Sequence, residues 1–202
     1  MNWTTCLAGL PEDTSAWNSL LLMRYLLLLG LLDCASGQVA VRLAGQSKIF
    51  YLPRDGYRNW CRSILQRSCL HVLSLIGIAL LLSLWQSPDT TWDVVIAAAI
   101  LALNAVALAG IQTLMILLFG SIAGFAPLIL IQLLSLFASR YLPGAWKLLL
   151  PGNWGMAIRS TLATTDGYPL FWVIGVEILL LLLLWAEGWR LVRWHDRKDG
   201  RI

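Results

Sequence analysis

Between Asp93 and Arg140 the chain carries no Asp, Glu, Lys or Arg, and as one helix this run would be roughly 70 Å long at 1.5 Å per residue. The hydrocarbon core of a bilayer is about 30 Å thick. One crossing cannot hold it. Composition points the same way: of 202 residues, 58% are hydrophobic and 13% charged, against roughly 25% charged in an ordinary soluble domain. The apolar residues come in blocks, several of which reach the roughly 17 to 25 residues that a spanning helix needs. The expected fold is all-α, a polytopic integral membrane protein with one transmembrane domain over residues 1–202. Its five spans are placed at about 18–35, 69–86, 93–119, 122–138 and 170–187. The third is rich in alanine (Ala97, Ala98, Ala99, Ala102, Ala105, Ala107, Ala109), which lets helices approach closely. Gly120 and Gly124 form a GxxxG, read as a tight turn or internal packing ahead of a dimer face.

Charge sets the expected orientation. The stretch from Gly37 to His71 holds six basic residues (Arg42, Lys48, Arg54, Arg58, Arg62, Arg67) against Asp55. Short Lys/Arg-rich loops stay on the cytoplasmic side. Counting spans from that loop places the N-terminus outside and the C-terminus inside, with Arg190, Arg193, Arg197, Lys198 and Arg201 in the cytoplasmic tail. Residues 1–17 have no Lys or Arg, contain Pro11, Glu12 and Asp13, and lack the features of a cleavable signal peptide; they are expected to be exposed and extracellular. Residues 139–169 mix Pro, Gly and Trp in apolar pieces too short to cross, so they are expected to dip into the interface or re-enter. Arg140, Lys147 and Arg159 in this outer segment run against the charge rule. Within the basic loop, Tyr57 to Gln66 is expected to form a short amphipathic helix of its own. The net charge of +4 lies beside apolar spans, where anionic lipid heads account for it and nucleic acid is not needed.

The chain offers no catalytic centre. It has no GxxxxGK[ST], HExxH or GxSxG, and His71 and His195 stand alone at the ends of spans. Cys6, Cys34, Cys61 and Cys69 show no CxxC or Cys/His spacing and read as packing residues; no cofactor or metal is expected, and the chain is not read as an enzyme. What remains is polarity inside the spans, which is expensive enough to need an explanation. Arg24 and Glu177 stand at a similar depth on the first and fifth spans and could form an ion pair, unless Arg24 snorkels outward and Glu177 pairs elsewhere. Asn104, Gln112 and Gln132 read as helix-to-helix hydrogen bonds of about 0.6 kcal/mol each ahead of substrate ligands.

Three places carry a family resemblance: FYLPRDGYRNW (Phe50 to Trp60) after a span, LLPGNWGMAIRS (Leu149 to Ser160) before the last span, and the basic end after it. The chain resembles the permease subunits of type-2 ABC exporters, particularly the small bacterial ones associated with peptide export or self-protection against antimicrobial peptides. The resemblance implies a non-enzymatic subunit of the cytoplasmic membrane that pairs with a second permease subunit. A separate ABC ATPase subunit would supply the energy. It places the ATPase-coupling role on Pro53, Arg54, Gly56, Arg58, Trp60 and Arg62, and Trp and Arg are common anchors of interfaces. The family's permeases have six spans against the five expected here; the sixth would precede Met1, with residues 1–17 matching the outer loop between the family's first two spans, so either the true start lies upstream or this is a divergent or degraded subunit. Two alternatives stand beside this: a loop that binds lipid head groups, and a non-transporting scaffold or immunity protein that binds a peptide or protein partner.

Overall fold

The computed structural model describes residues 3–11, 18–46, 54–86, 91–138, 141–142, 144–163 and 167–198. They are helical almost throughout: α1 (Trp3–Ala8), α2 (Ser19–Gln46), α3 (Arg54–Gln86), α4 (Thr91–Phe119), α5 (Ser121–Ala138), α6 (Pro151–Trp154) and α7 (Leu170–Lys198), with 3-10 turns at Gly144–Leu149 and Ala157–Arg159. Helices α2, α3, α4, α5 and α7 are long and apolar enough to cross a membrane, the make-up of a multi-pass membrane protein. Two ends of the bundle can be told apart. At the cap end α1 lies, α4 begins and α5 stops; at the basic end α3 begins and α7 stops.

Helix α4 is the axis. Of its most apolar stretch 61% is buried, against 17% to 39% for the other spanning helices, and α2, α3, α5 and α7 all pack on it. The cause is in its alanines: Ala97, Ala98, Ala107 and Ala109 are buried, and small side chains let neighbours close in. Leu28 and Leu32 of α2 and Val72 and Ile76 of α3 meet Ala98 and Leu101 there.

The hairpin between α4 and α5 depends on two glycines. Gly120 has φ +91°, a conformation that costs an L-residue roughly 1–2 kcal/mol. Four residues on, a Cβ on Gly124 would lie 2.2 Å from Ile116 Cγ1, so α5 can fold flat against α4 only without one. Turn and internal packing thus share the GxxxG. Gly120→Val is expected to cost about 1–2 kcal/mol and Gly124→Ile about 1–3 kcal/mol, read as a lower unfolding midpoint in detergent. Unchanged midpoints would mean that the hairpin is held elsewhere.

Three expectations need correction. The helices outrun the apolar blocks at the basic end, because α2 continues to Gln46, α3 starts at Arg54 and α7 reaches Lys198. No separate helix forms over Tyr57 to Gln66: it is the first part of α3, kept helical because Tyr57 and Cys61 pack against Trp189 and Val192 of α7. The N-terminal stretch is also not exposed over residues 6–11. Cys6, Leu7 and Leu10 are fully buried, Leu7 in the core beside Leu28 and Val72, the others beside Tyr25, Leu136 and Met156.

Candidate functional site

The site is built where α5, the shortest of the five spanning helices, stops. Beyond its end the chain turns back, and α6 with the 3-10 turn that follows it packs against α5, α4 and α1. The Gly152 N–H donates to Ser135 Oγ at 3.0 Å, and a Cβ on Gly152 would lie 2.7 Å from the Ser135 Cβ. The Pro151 carbonyl accepts from Asn104 Nδ2 at 3.0 Å. Asn104 lies roughly 20 Å along α4 from Thr91 at 1.5 Å per residue, so this carbonyl sits well along α4 from its start. Backbone that is not regular helix is tolerated at membrane depth only where its polar groups are satisfied by protein or a lined cavity. Here they are satisfied locally: Trp154 Nε1 donates to Leu148 O at 3.1 Å, and the Tyr168 hydroxyl donates to Trp154 O at 2.8 Å. Burial raises the Tyr168 phenol above its ordinary pKa.

Arg159 fastens this cap. It is 2% exposed; Nε donates to Leu10 O at 2.6 Å, and Nη1 to Asn153 Oδ1 at 2.7 Å and to Ser135 O at 3.3 Å. Nη2 donates to Pro11 O at 3.3 Å. One planar fork therefore ties the N-terminal stretch, the end of α5 and α6 together, a geometry guanidinium suits. The sequence reading counted Arg159 as a charge on the outer surface.

Below the cap lies a band of polar side chains inside the bundle. Glu177 of α7 is 1% exposed and accepts from Asn104 Nδ2 at 2.8 Å, so one amide holds both the carboxyl and the Pro151 carbonyl. Asn104, not Arg24, is what the fold brings to Glu177. Arg24 is half-buried on α2, near Cys6. Two turns along α4 from Asn104, Gln112 accepts from Ser36 Oγ and donates from Nε2 to Asp33 O at 3.1 Å. Gln132 of α5 donates to Asp33 Oδ1 at 3.1 Å.

Asp33, 6% exposed, is the member that sequence reasoning missed, because the first span was taken to end beside it. The available signal was the small-residue spacing after it, Ser36, Gly37 and Ala40, which continues one helical face toward α4 and α5. A cavity of about 10 Å³ bounded by Asp33, Ser36, Asn104 and Gln132 offers roughly the room that one water needs. Two buried carboxyls on different helices are thus each held by an amide, Asp33 by Gln132 and Glu177 by Asn104. Among the described residues no three His, Cys, Asp or Glu lie together in a way that could hold a metal.

The expected coupling residues divide at the basic end. Pro53 lies outside the described residues, Arg54 opens α3 and Gly56 follows. Arg58 is exposed, whereas Trp60 is half-buried, with its ring centroid 5.4 Å from that of Tyr57. Arg62 turns to α7, where Nε donates to Trp185 O at 3.2 Å and the guanidinium lies 5.2 Å from the indole centre. One helical turn before it, the Tyr57 hydroxyl donates to Asp196 Oδ2 at 2.5 Å. Cys61 packs between these two contacts, and all four cysteines are unpaired thiols. No family model matches the chain, and neither a curated protein nor a solved structure is found to match it.

Proposed function

We propose that the chain is the membrane permease subunit of an ATP-driven exporter of the type-2 ABC kind. It sits in the cytoplasmic membrane, pairs with a second permease subunit, and is energised by a separate ATPase subunit. The cap end faces out, and the basic end with the C-terminus faces the cytoplasm, in keeping with the charge rule. A peptide is the substrate class that the resemblance favours. The observation that carries a transport reading is the broken, re-entrant segment seated against Asn104 and Glu177. Interrupted helices beside buried ionisable groups are characteristic of substrate and ion pathways, and a passive anchor has no use for them.

The chain's own residues supply a route for the partner's motion. A push on exposed Arg58 at the start of α3 reaches α7 through the Tyr57–Asp196 and Arg62–Trp185 contacts. Eight residues, roughly 12 Å, along α7 from Trp185 stands Glu177, bonded to the amide that holds the cap. Tilting α7 therefore strains Asn104 and loosens the re-entrant segment. Nucleotide binding by the ATPase shifts this equilibrium only to the extent that the ATPase contacts the two states differently.

The test is a mild-detergent pull-down of the tagged chain, wild type against Arg54→Glu/Arg58→Glu. An ATPase subunit that accompanies the wild type and is lost from a still-folded variant is the expected result. If no ATPase accompanies either protein, the exporter reading fails and a scaffold or immunity protein that binds a peptide or protein takes its place.

A further inference from the structure

Away from the cap, α3 and α7 leave a groove of about 370 Å³ between them near the basic end, within the size range of ligand sites. Leu65, Cys69 and Leu70 line one side, and Ile178, Leu182 and Trp185 the other. Leu70, Ile178 and Leu182 are exposed along it, so the groove opens toward the membrane. Polarity enters at one end only. Gln66 lies there, and one and two turns back along the same face of α3 come Arg62 and Arg58, at the i, i+4 spacing that aligns side chains on a helix.

Arg62 is fixed at this mouth by its bond to the Trp185 carbonyl and its position against the indole. Trp185 is 40% exposed, as suits a ring at the membrane interface. An apolar slot below an interfacial tryptophan, topped by two arginines, has the layout of a phospholipid: chain below, phosphate above. We infer that this groove binds one anionic phospholipid, with an acyl chain between α3 and α7 and its phosphate against Arg62 and Arg58.

Charge complementarity selects this occupant. An apolar helix from a second copy would cover the slot and leave both guanidinium groups facing hydrocarbon. A zwitterionic lipid would bring a cationic amine beside them. The binding does not depend on whether the chain transports anything, and it would fix α3 to α7 where the two extensions meet.

Native mass spectrometry of the full-length chain, titrated in detergent with dioleoyl phosphatidylglycerol or dioleoyl phosphatidylcholine, tests the inference. One equivalent of phosphatidylglycerol should be retained under collision conditions that strip phosphatidylcholine. Arg58→Gln should weaken its affinity about fivefold and Arg58→Gln/Arg62→Gln about 30-fold, the effect of losing one and two charges near a lipid surface. Arg58 is exposed, so its single variant is expected to keep the fold. Cys69→Trp fills the slot with every charge in place and should abolish the retained equivalent. Equal retention of the two lipids, unchanged binding by Cys69→Trp, or a dimer that holds no lipid and dissociates in Cys69→Trp would each overturn the inference.

Discussion

Arg159→Ala is expected to destabilise the protein by about 3–5 kcal/mol, because three buried oxygens and one part-buried one lose a donor, and each unsatisfied buried group costs roughly 1–3 kcal/mol before relaxation. The oxygens belong to Leu10, Pro11, Ser135 and Asn153, so the damage reaches the N-terminal stretch, the end of α5 and α6 together. Against a usual total stability of about 5–15 kcal/mol, this releases the cap. Arg159→Lys should recover less than half of the loss, since one ammonium cannot reproduce a planar fork that serves several acceptors. Heating followed by fluorescence-detected size exclusion in detergent reads both variants. A midpoint for Arg159→Ala within 2 °C of wild type, no more than what about 1 kcal/mol shifts in a chain of 202 residues, would show that the cap is held by something else.

The second large effect is expected at Asn104. Asn104→Leu leaves the Glu177 carboxyl and the Pro151 carbonyl without their shared donor, at a cost of about 2–4 kcal/mol. Glu177→Leu alone should be milder, about 1–2 kcal/mol, because Asn104 keeps its bond to Pro151. Replacing both partners by apolar residues removes the orphaned carboxyl. The double variant should therefore be at least about 1 kcal/mol better than the sum of the singles, a coupling within the usual range for contacting residues. Glu177→Gln, which still accepts a hydrogen bond, should stay close to wild type. Strict additivity across the cycle would mean that Asn104 and Glu177 do not act as a pair.

These two clusters also mark where the sequence could be read and where it could not. The spanning helices were legible because length and apolar composition are local properties, and the break at Gly120 was legible because a turn there needs a residue free to adopt positive φ. Asn104, Gln112 and Gln132 stood out as polar residues inside apolar runs, and each proves to bridge two helices or a helix and the cap. Their partners could not be named, since which face meets which is decided by tertiary packing. Asp33 was missed because an apolar block ends beside it, although the helix does not.

Arg159 was missed for a deeper reason. Its acceptor Leu10 lies 149 residues away in sequence, and no periodicity or charge count carries contacts of that range. The same contact explains the N-terminal stretch, whose lack of Lys and Arg resembled a solvated tail. Its apolar Cys6, Leu7 and Leu10 are instead drawn into the bundle, with the carbonyls of Leu10 and Pro11 satisfied by the arginine. The basic loop was a third case. Spacing alone gave an amphipathic helix, but the residue that turned inward, Arg62, could be identified only once Trp185 of α7 was beside it.

Residues 151–160 pack into the bundle and are held there by Asn104, Ser135 and the Arg159 fork. Single cysteines placed in a chain otherwise free of cysteine, then treated with a membrane-impermeant maleimide on intact cells, test this most directly. Met156, inside this segment, is 1% exposed and Leu162, just beyond its end and only six positions on, is 61% exposed. Leu162→Cys should label readily and Met156→Cys only after denaturation. Equal labelling of the two in the native protein would mean that the segment lies on the surface and that the buried site beneath it does not form.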